Sequence, residues 1–359
     1  MSKPLDNWTS GSGRHLDELM KHVLDLNDGT MEFTLIHYAK SENPLYERVR
    51  ELLIPRNPLS ASKIIAKQRF DIVHYSPLSV YAPLWGVTAK KTATIHGIEE
   101  VLYPQGYSFI QRFHDTKIQP LLMKKMDGIA TVSETGKRYF TEHYHIDPEK
   151  ICITTNGLSP KYRTLPESER RNILNEKPGQ KYILHLSRCS ARKNPVTIFR
   201  GFSRFIQETG SSCLLVCAGR GWDGAEAKQL AAEAGIAEQY RAPGFVSEED
   251  SVQLLNGAEA FVFPSFAEGF GMPNIEAMAC GCPVLTSGIF AIPEVVGDAA
   301  YIISRPDSVE DFAAGLRKIT EDSAYRRRLI ERGLANIRRF NWDDSARNII
   351  GYWKKLRDS

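Results

Sequence analysis

The sequence contains no long hydrophobic run, although 42% of its 359 residues are hydrophobic. A helix that crosses a bilayer needs about 20 consecutive apolar residues, and no segment approaches that length. The chain also does not open with a basic segment followed by an apolar one, as a secretory leader does. We therefore expect a cytoplasmic protein, and a peripheral contact with the inner face of the membrane stays open.

The chain has little excess charge. Its 46 Lys and Arg residues stand against 43 Asp and Glu residues, which gives a formal net charge of +3. Both signs are spread along the whole sequence. A protein that binds nucleic acid usually carries a strongly basic surface, because contacts with phosphates supply much of the affinity. The charge balance gives no support for a nucleic-acid partner.

Cysteine is scarce and lacks the spacing of a metal or redox motif. None of the six cysteines forms a C-x-x-C pair, and the nine histidines include no pair with convincing zinc spacing. Cys213 and Cys217 flank a predicted strand, in which four residues span about 13 Å, too far for a disulfide. We expect buried free thiols in a reducing compartment, with no metal and no other cofactor.

The chain does have the length and composition of two globular domains. Residues 161–179 are polar and charged and show no periodicity, which indicates a domain boundary. On both sides, short apolar runs alternate with amphipathic helical segments, which predicts an α/β fold with parallel sheets. We place the first domain at residues 1–160, the second at residues 161–340, and a final amphipathic helix at residues 341–359.

In the first domain, local conformation is predicted for residues 1–26 and for residues 44–67. Residues 1–10 include Pro4 and few large apolar residues, so they make a poor strand. Residues 11–13 are a Gly-Ser-Gly loop, and residues 14–26 after them have helical spacing. Residues 44–67 are predicted to be mostly helical, with breaks at prolines.

The most informative stretch is residues 263–286, FPSFAEGFGMPNIEAMACGCPVLT. An apolar run of strand type, Ala260–Phe263, leads into it, and a second begins at Pro283–Thr286. Between them a glycine-rich loop leads into a helix with Pro273 in its first turn. In a parallel sheet such a loop lies at the carboxyl edge, where the helix N–H groups favour an anion. Glu268 and Glu276 frame it and can accept hydrogen bonds from hydroxyls. The pattern indicates phosphate plus sugar; an ordinary loop with a first-turn glutamate is the alternative.

A second polar cluster follows the first predicted strand of the second domain. Arg188 comes directly after that strand, and Lys193 precedes a helix that begins at Pro195. Cations there are well placed for phosphate, because Arg binds it with a planar fork and Lys with a point charge. We predict that Arg188 and Lys193 bind phosphate and that Arg192 is solvated.

Residues 268–276, with the AMACGCPV run after them, resemble the donor-site motif of the retaining glycosyltransferases of family 4, which have the GT-B fold. Residues 131–158 resemble the last βαβ unit of that family's first domain. The resemblance covers nearly the whole chain. It implies two Rossmann-like domains with parallel sheets facing a central cleft, with the acceptor in the first domain and the donor in the second.

The resemblance implies site roles for nine residues of the second domain, of which Arg188, Lys193 and Glu268 count as catalytic and the other six as donor-binding. They are Arg188, Lys193, Phe245, Val246, Glu268, Gly269, Phe270, Gly271 and Glu276. Within this set Arg188 and Lys193 would hold the diphosphate, Glu268 and the adjoining loop amides the sugar, and Glu276 the ribose. The backbone at Phe245 and Val246 would read the nucleobase.

In the first domain the resemblance implies two further site residues. Gly13 belongs to the glycine-rich loop that faces the donor diphosphate, and His96, at the end of a predicted strand, lines the acceptor side and counts among the catalytic residues. The family's usual acid after that histidine is Gly97 here. Residues 107–126 are predicted as one amphipathic helix that packs on the domain, and a membrane contact through its basic and aromatic residues is the alternative.

The implied reaction moves a sugar from a nucleoside diphosphate sugar, such as a UDP- or GDP-sugar, to a hydroxyl of a glycan, lipid-linked or small-molecule acceptor. It would retain the anomeric configuration. It would need no metal, since the sequence has no Asp-x-Asp motif and Arg188 and Lys193 supply positive charge. Two alternatives stay open: a sugar-nucleotide epimerase with the same fold, and a non-catalytic protein that binds the nucleotide sugar.

Overall fold

The computed structural model describes Leu5 and residues 11–359, which divide into two compact units. The first unit combines Met1–Gly157 with Phe340–Ser359, and the second is Leu158–Arg339. The prediction of a poor strand at residues 1–10 falls, apart from Leu5, outside the described residues.

The described strands of the first unit form a two-stranded and a four-stranded parallel sheet. They are β1 (Thr34–His37), β2 (Arg50–Leu53), β3 (Ile72–Tyr75), β4 (Lys90–Thr94), β5 (Gly128–Thr131) and β6 (Ile151–Ile153). β1 pairs with β2, and β3 to β6 pair in chain order. The α-helices before and between these strands are α1 (Gly11–Asp25), α2 (Leu45–Arg48), α3 (Pro58–Lys67), α4 (Glu99–Leu102), α5 (Phe109–Phe113), α6 (Gln119–Lys124) and α7 (Glu134–Tyr144).

The prediction of a glycine-rich loop at residues 11–13 is wrong, because these residues form the first turn of α1. Glycine is a weak helix former, and this made a loop the better prediction from sequence. The helix instead buries Leu16, Leu19 and Val23 along one face, with Gly13 also buried at its start. Packing of that face outweighs the local preference.

The prediction for residues 44–67 is wrong in the middle of the segment. Arg50–Leu53 is the strand β2, which pairs in parallel with β1 and places Leu52 opposite Ile36. Three of its four residues are exposed, so the segment lacks the apolar alternation that marks a half-buried strand. Pairing with β1 decides its conformation.

Residues 107–126 contain α5, a π-helical turn at His114–Ile118, and α6. Pro120 lies at the start of α6 and has no N–H to donate to the preceding turn, which suits a local change of helix type. Phe109 is 78% and Ile110 79% exposed. The prediction that this helix packs on the domain is therefore wrong for α5, although Met123 of α6 is buried.

The second unit is built on a six-stranded parallel sheet with the order β12-β11-β10-β7-β8-β9. Its strands are β7 (Tyr182–Leu186), β8 (Leu214–Ala218), β9 (Tyr240–Gly244), β10 (Ala260–Phe263), β11 (Val284–Ser287) and β12 (Ala300–Ile303). All residues of β7, β8 and β10 are buried, as expected for central strands covered on both faces.

Seven helices accompany this sheet in the described second unit: α8 (Pro195–Thr209), α9 (Ala225–Glu233), α10 (Glu248–Gly257), α11 (Met272–Ala279), α12 (Ile292–Val296), α13 (Val309–Glu321) and α14 (Ser323–Asn336). Phe199 and Phe202 of α8 and Phe312 of α13 are fully buried against the sheet. Gly201 brings α8 and α13 together, because a Cβ atom there would overlap the Phe312 ring.

The last helix, α15 (Trp342–Asp358), belongs to the first unit and packs on α1 and β6. Its apolar face, which includes Trp342, Ile349 and Trp353, shares a core with α1. Polar contacts fix its register: the Tyr352 hydroxyl donates to the Lys150 carbonyl over 2.7 Å, and Ser345 Oγ donates to the Thr155 carbonyl over 2.7 Å.

All six cysteines are free, as predicted. Four of them (Cys213, Cys217, Cys280 and Cys282) are buried, and the other two are half-buried. In the described part of the chain no helix combines the length and the apolar character needed to cross a membrane.

We predict that Gly157→Ala destabilises the first unit, because the new Cβ would lie 2.5 Å from the backbone nitrogen of Trp342 at the start of α15. Overpacking of this kind costs about 1–3 kcal/mol. The matched control is Gly351→Ala in α15, where a Cβ meets nothing within 4 Å and should stabilise the helix by about 0.5–1 kcal/mol. Denaturant unfolding of both variants checks this; equal stabilities would contradict the close approach of Gly157 and Trp342.

Candidate functional site

The sheet of the second unit reverses its direction of winding between β7 and β10. These strands are neighbours, but the chain leaves β7 for β8 on one side and leaves β10 for β11 on the other. Such a switch point leaves a crevice at the carboxyl ends of the two strands. Residues 187–194 follow β7 and residues 264–271 follow β10, so the two predicted clusters meet at one place.

Lys193 and Glu268 form a buried ion pair at this switch point. Lys193 Nζ lies 2.5 Å from Glu268 Oε1, and the two residues are only 9% and 7% exposed. The ammonium group also lies 4.4 Å from the centre of the Phe263 ring, the last residue of β10. The structure thus brings together two of the residues that the sequence assigns to the site.

The charges around Glu268 keep its carboxyl group ionised. Burial by itself raises the pKa of this carboxyl, but the neighbouring charges of Lys193 and Arg192 outweigh the burial and hold the pKa below its usual value. A carboxylate and an ammonium group are therefore present together at buried positions. Each is stabilised by the other, and each is a strong partner for a polar ligand.

Asn194 explains why the chain presents Lys193 here. It has a left-handed backbone (φ 61°), which asparagine tolerates, and its side chain caps α8 by accepting from the Thr197 amide. Its amide Nδ2 donates to the carbonyls of Pro264 (3.1 Å) and Pro306 (2.6 Å). One residue therefore ends the loop after β7, starts α8 and holds the loop after β10.

Arg192 is half-buried and bonded to the loop after β10, so the prediction that it is simply solvated is wrong. Its Nη1 donates to the Ala267 carbonyl over 2.7 Å and lies 3.5 Å from Glu268 Oε1. From sequence, the middle cation of Ala-Arg-Lys in a turn gives no sign of its direction. The short 3₁₀ turn at Ala191–Lys193 turns it towards the loop after β10.

His185 on β7 is a site residue that the sequence did not reveal. Its Nδ1 contacts the Val262 carbonyl of β10 over 2.8 Å, so Nδ1 is the donor, and its Nε2 lies 2.7 Å from Ser187 Oγ. Burial lowers the pKa of His185 to about 3, so the ring is neutral at pH 7. The ring links the two strands whose loops carry Lys193 and Glu268.

The loop after β10 ends at Gly271, which starts α11 in the left-handed region (φ 87°). A Cβ there would lie 2.9 Å from Asn274 Nδ2, so the position favours glycine. Gly269, Phe270 and Glu276 are buried around this start. The predicted glycine-rich loop and helix are thus present, with Pro273 in the first turn of α11.

The remaining predicted donor residues lie at the same edge of the sheet. Arg188 is exposed two residues after β7 and has no ion-pair partner among the described residues. Phe245, directly after β9, is 66% exposed, and the Arg220 guanidinium lies 5.4 Å from the centre of its ring. Val246 is half-buried.

In the first unit, His96 lies just after β4 and belongs to a small group of imidazoles, of which His15 is buried and His74 and His96 are half-buried. Its ring centre is 4.8 Å from that of His15 on α1, whose Nδ1 lies 2.9 Å from Asn156 Oδ1. The Nε2 atoms of both rings have no hydrogen-bond partner among the described residues. His74 on β3 lies between the hydroxyls of Thr92 and Thr94, at 2.8 Å from each.

Burial sets the protonation of this group. It lowers the pKa of His15 to about 4 and those of His74 and His96 to about 3. The three rings are therefore neutral at pH 7. Gly13 lies two residues before His15 in the same helix and is buried.

The described residues include no cluster of metal-binding side chains, and a cavity in the first unit lies away from the predicted site residues. In residues 11–359 and Leu5 no group of three or more His, Cys, Asp or Glu side chains could hold a metal ion. A cavity of about 570 Å³ lies in the first unit beside β1 and β3, and neither Gly13 nor His96 lines it.

Two family models match the chain, one to each unit. The model described as Glycosyltransferase Family 4 matches residues 9–162, and the model described as Glycosyl transferases group 1 matches residues 166–335. The chain belongs to the glycosyltransferase family whose two domains these models describe. The enzyme is 27% identical to O-antigen chain mannosyltransferase B of Escherichia coli over 99% of its own length and 98% of the relative's.

A longer relative shares the same level of identity. The glycosyltransferase is 27% identical to the serotype-specific mannosyltransferase WbdA of Escherichia coli over 80% of its own length, and the match spans 36% of WbdA. Known structures agree on the fold. A glycosyltransferase from Rickettsia africae superposes with a TM-score of 0.77 at 18% identity, covering 96% of this chain and 95% of that one.

Anabaena Alr3699/HepE in complex with UDP and glucose superposes with a TM-score of 0.75 at 16% identity, covering 96% of each chain. The glycosyltransferase has the GT-B fold, as the sequence predicts, with a Rossmann-like α/β architecture in each unit.

We predict that the first unit of this glycosyltransferase loses stability as the pH falls from about 6.5 to about 4. The unfolded histidines titrate near 6.5 and the folded ones at about 3–4, so the unfolded state binds more protons across that interval. Each buried histidine contributes up to about 1.4 kcal/mol per pH unit. Denaturant unfolding of wild type and His96→Gln over this range measures the difference.

The variant should lose stability less steeply than wild type, and His143→Gln, at an exposed histidine, is the control. An unchanged slope in His96→Gln would mean that the imidazole of His96 takes up a proton as readily when folded as when unfolded.

Proposed function

We propose that the enzyme transfers a hexosyl residue from a nucleoside diphosphate sugar to an acceptor hydroxyl with retention of anomeric configuration. The names of the relatives, which are mannosyltransferases, support mannose as that residue. The observation that carries the proposal is the buried pair of Lys193 and Glu268 at the switch point, beside the start of α11. It offers a cation for a diphosphate and a carboxylate for sugar hydroxyls within one pocket.

In this proposal the protein stabilises the charge that develops on the departing diphosphate. Lys193 supplies a desolvated ammonium group, and Arg188 supplies an exposed guanidinium at the same sheet edge. The first amides of α11 add the positive end of the helix dipole, and Gly269 and Gly271 allow the backbone to approach phosphate oxygens closely. Such preorganised donors act most strongly where water is excluded.

The other predicted residues hold the rest of the donor. Glu268 accepts hydrogen bonds from the sugar and Glu276 from the ribose, while the turn at Phe245 and Val246 contacts the nucleobase. In the transfer step the bond from the anomeric carbon to the phosphate oxygen breaks and a bond to the acceptor oxygen forms on the same face. The proton of the acceptor hydroxyl passes to the departing phosphate oxygen.

We further propose that the reaction needs no metal, because Lys193, Arg188 and the amides of α11 supply the positive charge. Turnover in a chelating buffer tests this point. Activity equal to that in magnesium supports it, and activity restored only by a divalent cation refutes it.

An acceptor linked to a lipid is supported by the exposed surface of α5. Phe109, Ile110 and Phe113 are 78%, 79% and 50% exposed, and the exposed Arg112 lies among them. Aromatic and aliphatic side chains beside a cation suit the boundary of a membrane with anionic headgroups. We propose that this surface holds the enzyme at such a membrane.

The direct test of the function incubates the enzyme with GDP-, UDP-, ADP- and dTDP-sugars, mannose donors included, with and without an octyl-linked mannoside acceptor. We expect release of nucleoside diphosphate that requires the acceptor, and a product whose anomeric configuration, read by NMR, equals that of the donor. Isomerisation of donor alone would identify an epimerase. Binding without any turnover would identify a non-catalytic sugar-nucleotide binder.

Lys193→Ala should lower kcat/KM about 10²- to 10³-fold, or about 3–4 kcal/mol, because it removes a buried donor to the departing charge. Steady-state kinetics with the preferred donor measures it. The control is Lys181→Ala, since Lys181 is exposed and precedes β7 at the opposite edge of the sheet. Wild-type turnover in Lys193→Ala would remove this residue from the mechanism.

The double variant Phe109→Ser, Ile110→Ser should lose most binding to vesicles that contain phosphatidylglycerol, because it removes two exposed apolar side chains from α5. Co-sedimentation measures the bound fraction. Leu59→Ser removes an exposed leucine from α3 and should bind like wild type. If the double variant binds like wild type, or wild type does not bind, the α5 surface is not a membrane contact.

A further inference from the structure

The turn before α8 and the loop after β10 are joined by several contacts of Arg192. The Phe266 amide donates to the Arg192 carbonyl over 2.9 Å, and the Arg192 guanidinium donates to the next carbonyl, that of Ala267, over 2.7 Å. The same guanidinium nitrogen lies 3.5 Å from the carboxylate of Glu268. Arg192 therefore meets three consecutive residues of the loop.

The acceptors that Arg192 satisfies are buried. Ala267 is fully buried, and Glu268 is 7% exposed. A buried carbonyl that loses its donor destabilises the conformation that holds it, and the loop would be expected to move until the carbonyl reached water. Asn194 holds the loop at Pro264, two residues before Phe266, through a hydrogen bond to the Pro264 carbonyl.

The shape of the guanidinium matters for this arrangement. The planar guanidinium has five N–H donors, so one of them can point towards a carbonyl while another points towards a carboxylate. An ammonium group is instead a compact point charge on a flexible stem. Lysine at position 192 would preserve the charge beside Glu268 but not this directed pair of contacts.

We propose that Arg192 is a positioning residue that holds residues 266–268 so that the Glu268 carboxylate stays beside Lys193 and faces the donor sugar. This inference rests on the proposed function for the role of Glu268, but the position of the loop is measurable without any activity. Arg192 acts through the loop and does not itself contact the donor.

The experiment compares Arg192→Gln and Arg192→Lys with wild type, and uses Arg200→Gln, at an exposed position of α8, as the control. Amide hydrogen exchange of the ligand-free protein should be at least tenfold faster for residues 264–271 in both Arg192 variants. Exchange in α8 should be unchanged. Equal exchange in wild type and Arg192→Gln, or wild-type exchange in Arg192→Lys, would overturn the positioning role.

Kinetics then separate positioning from direct binding. Both Arg192 variants should lower kcat about 10- to 100-fold while the Kd for the free nucleoside diphosphate changes less than threefold, because Lys193 and Arg188 remain. A loss of diphosphate affinity as large as that of Lys193→Ala would make Arg192 a phosphate ligand instead. Unchanged kcat would also refute the inference.

Failure of the proposed function and failure of the positioning role give different results. If wild type neither binds nucleoside diphosphates nor transfers sugar, the proposed function is wrong, and the exchange result still decides whether Arg192 positions the loop. If wild type is active and the Arg192 variants match it in exchange and kcat, only the positioning role is wrong.

Discussion

A buried ion pair organises the second unit's functional edge. An ammonium and a carboxylate removed from water are costly alone, and breaking such a pair by removing one partner typically costs about 3–5 kcal/mol. Lys193 and Glu268 therefore constrain each other, although they belong to loops 75 residues apart in the chain. The pair keeps a cation and an anion in place before any ligand arrives, which is the preorganisation that charge stabilisation in a transfer reaction requires.

Three neighbouring residues hold the loops that carry Lys193 and Glu268. His185 links β7 to β10, and Asn194 ties the start of α8 to Pro264, the residue directly after β10. Arg192 satisfies the Ala267 carbonyl next to Glu268. In each of these three contacts the acceptor is a backbone carbonyl. Together they tie the loops after β7 and β10 to each other.

The sequence predicts most of this site because its chemistry is local. Glu268, the glycines after it and the start of α11 lie within one short motif, and Lys193 lies at a helix start that Pro195 marks. The sequence does not predict Arg192 or His185, since their partners are backbone carbonyls of residues far along the chain: Ala267 and Val262. A contact with a distant carbonyl leaves no pattern in either segment.

In the fold, too, some elements can be predicted from the sequence and others cannot. Strongly apolar strands such as β7 and β10 are found close to their predicted positions, because burial on both faces leaves a continuous apolar run. β2 escapes prediction because Arg50–Leu53 is an edge strand with three exposed residues, and only its pairing with β1 makes it a strand. The first turn of α1 escapes because packing overrides the low helix preference of Gly11 and Gly13.

The central claim is that Lys193 is the diphosphate-binding cation and that Glu268 holds it in place without competing for the same ligand atoms. Calorimetric titration of wild type and Glu268→Gln with GDP and UDP tests it most directly. We expect Glu268→Gln to bind the preferred nucleoside diphosphate at least as tightly as wild type, because the isosteric amide oxygen of glutamine can still accept from Lys193 and hold it in place, while the neutral side chain leaves more of the Lys193 charge for phosphate. A loss of affinity as large as that in Lys193→Ala would contradict the account.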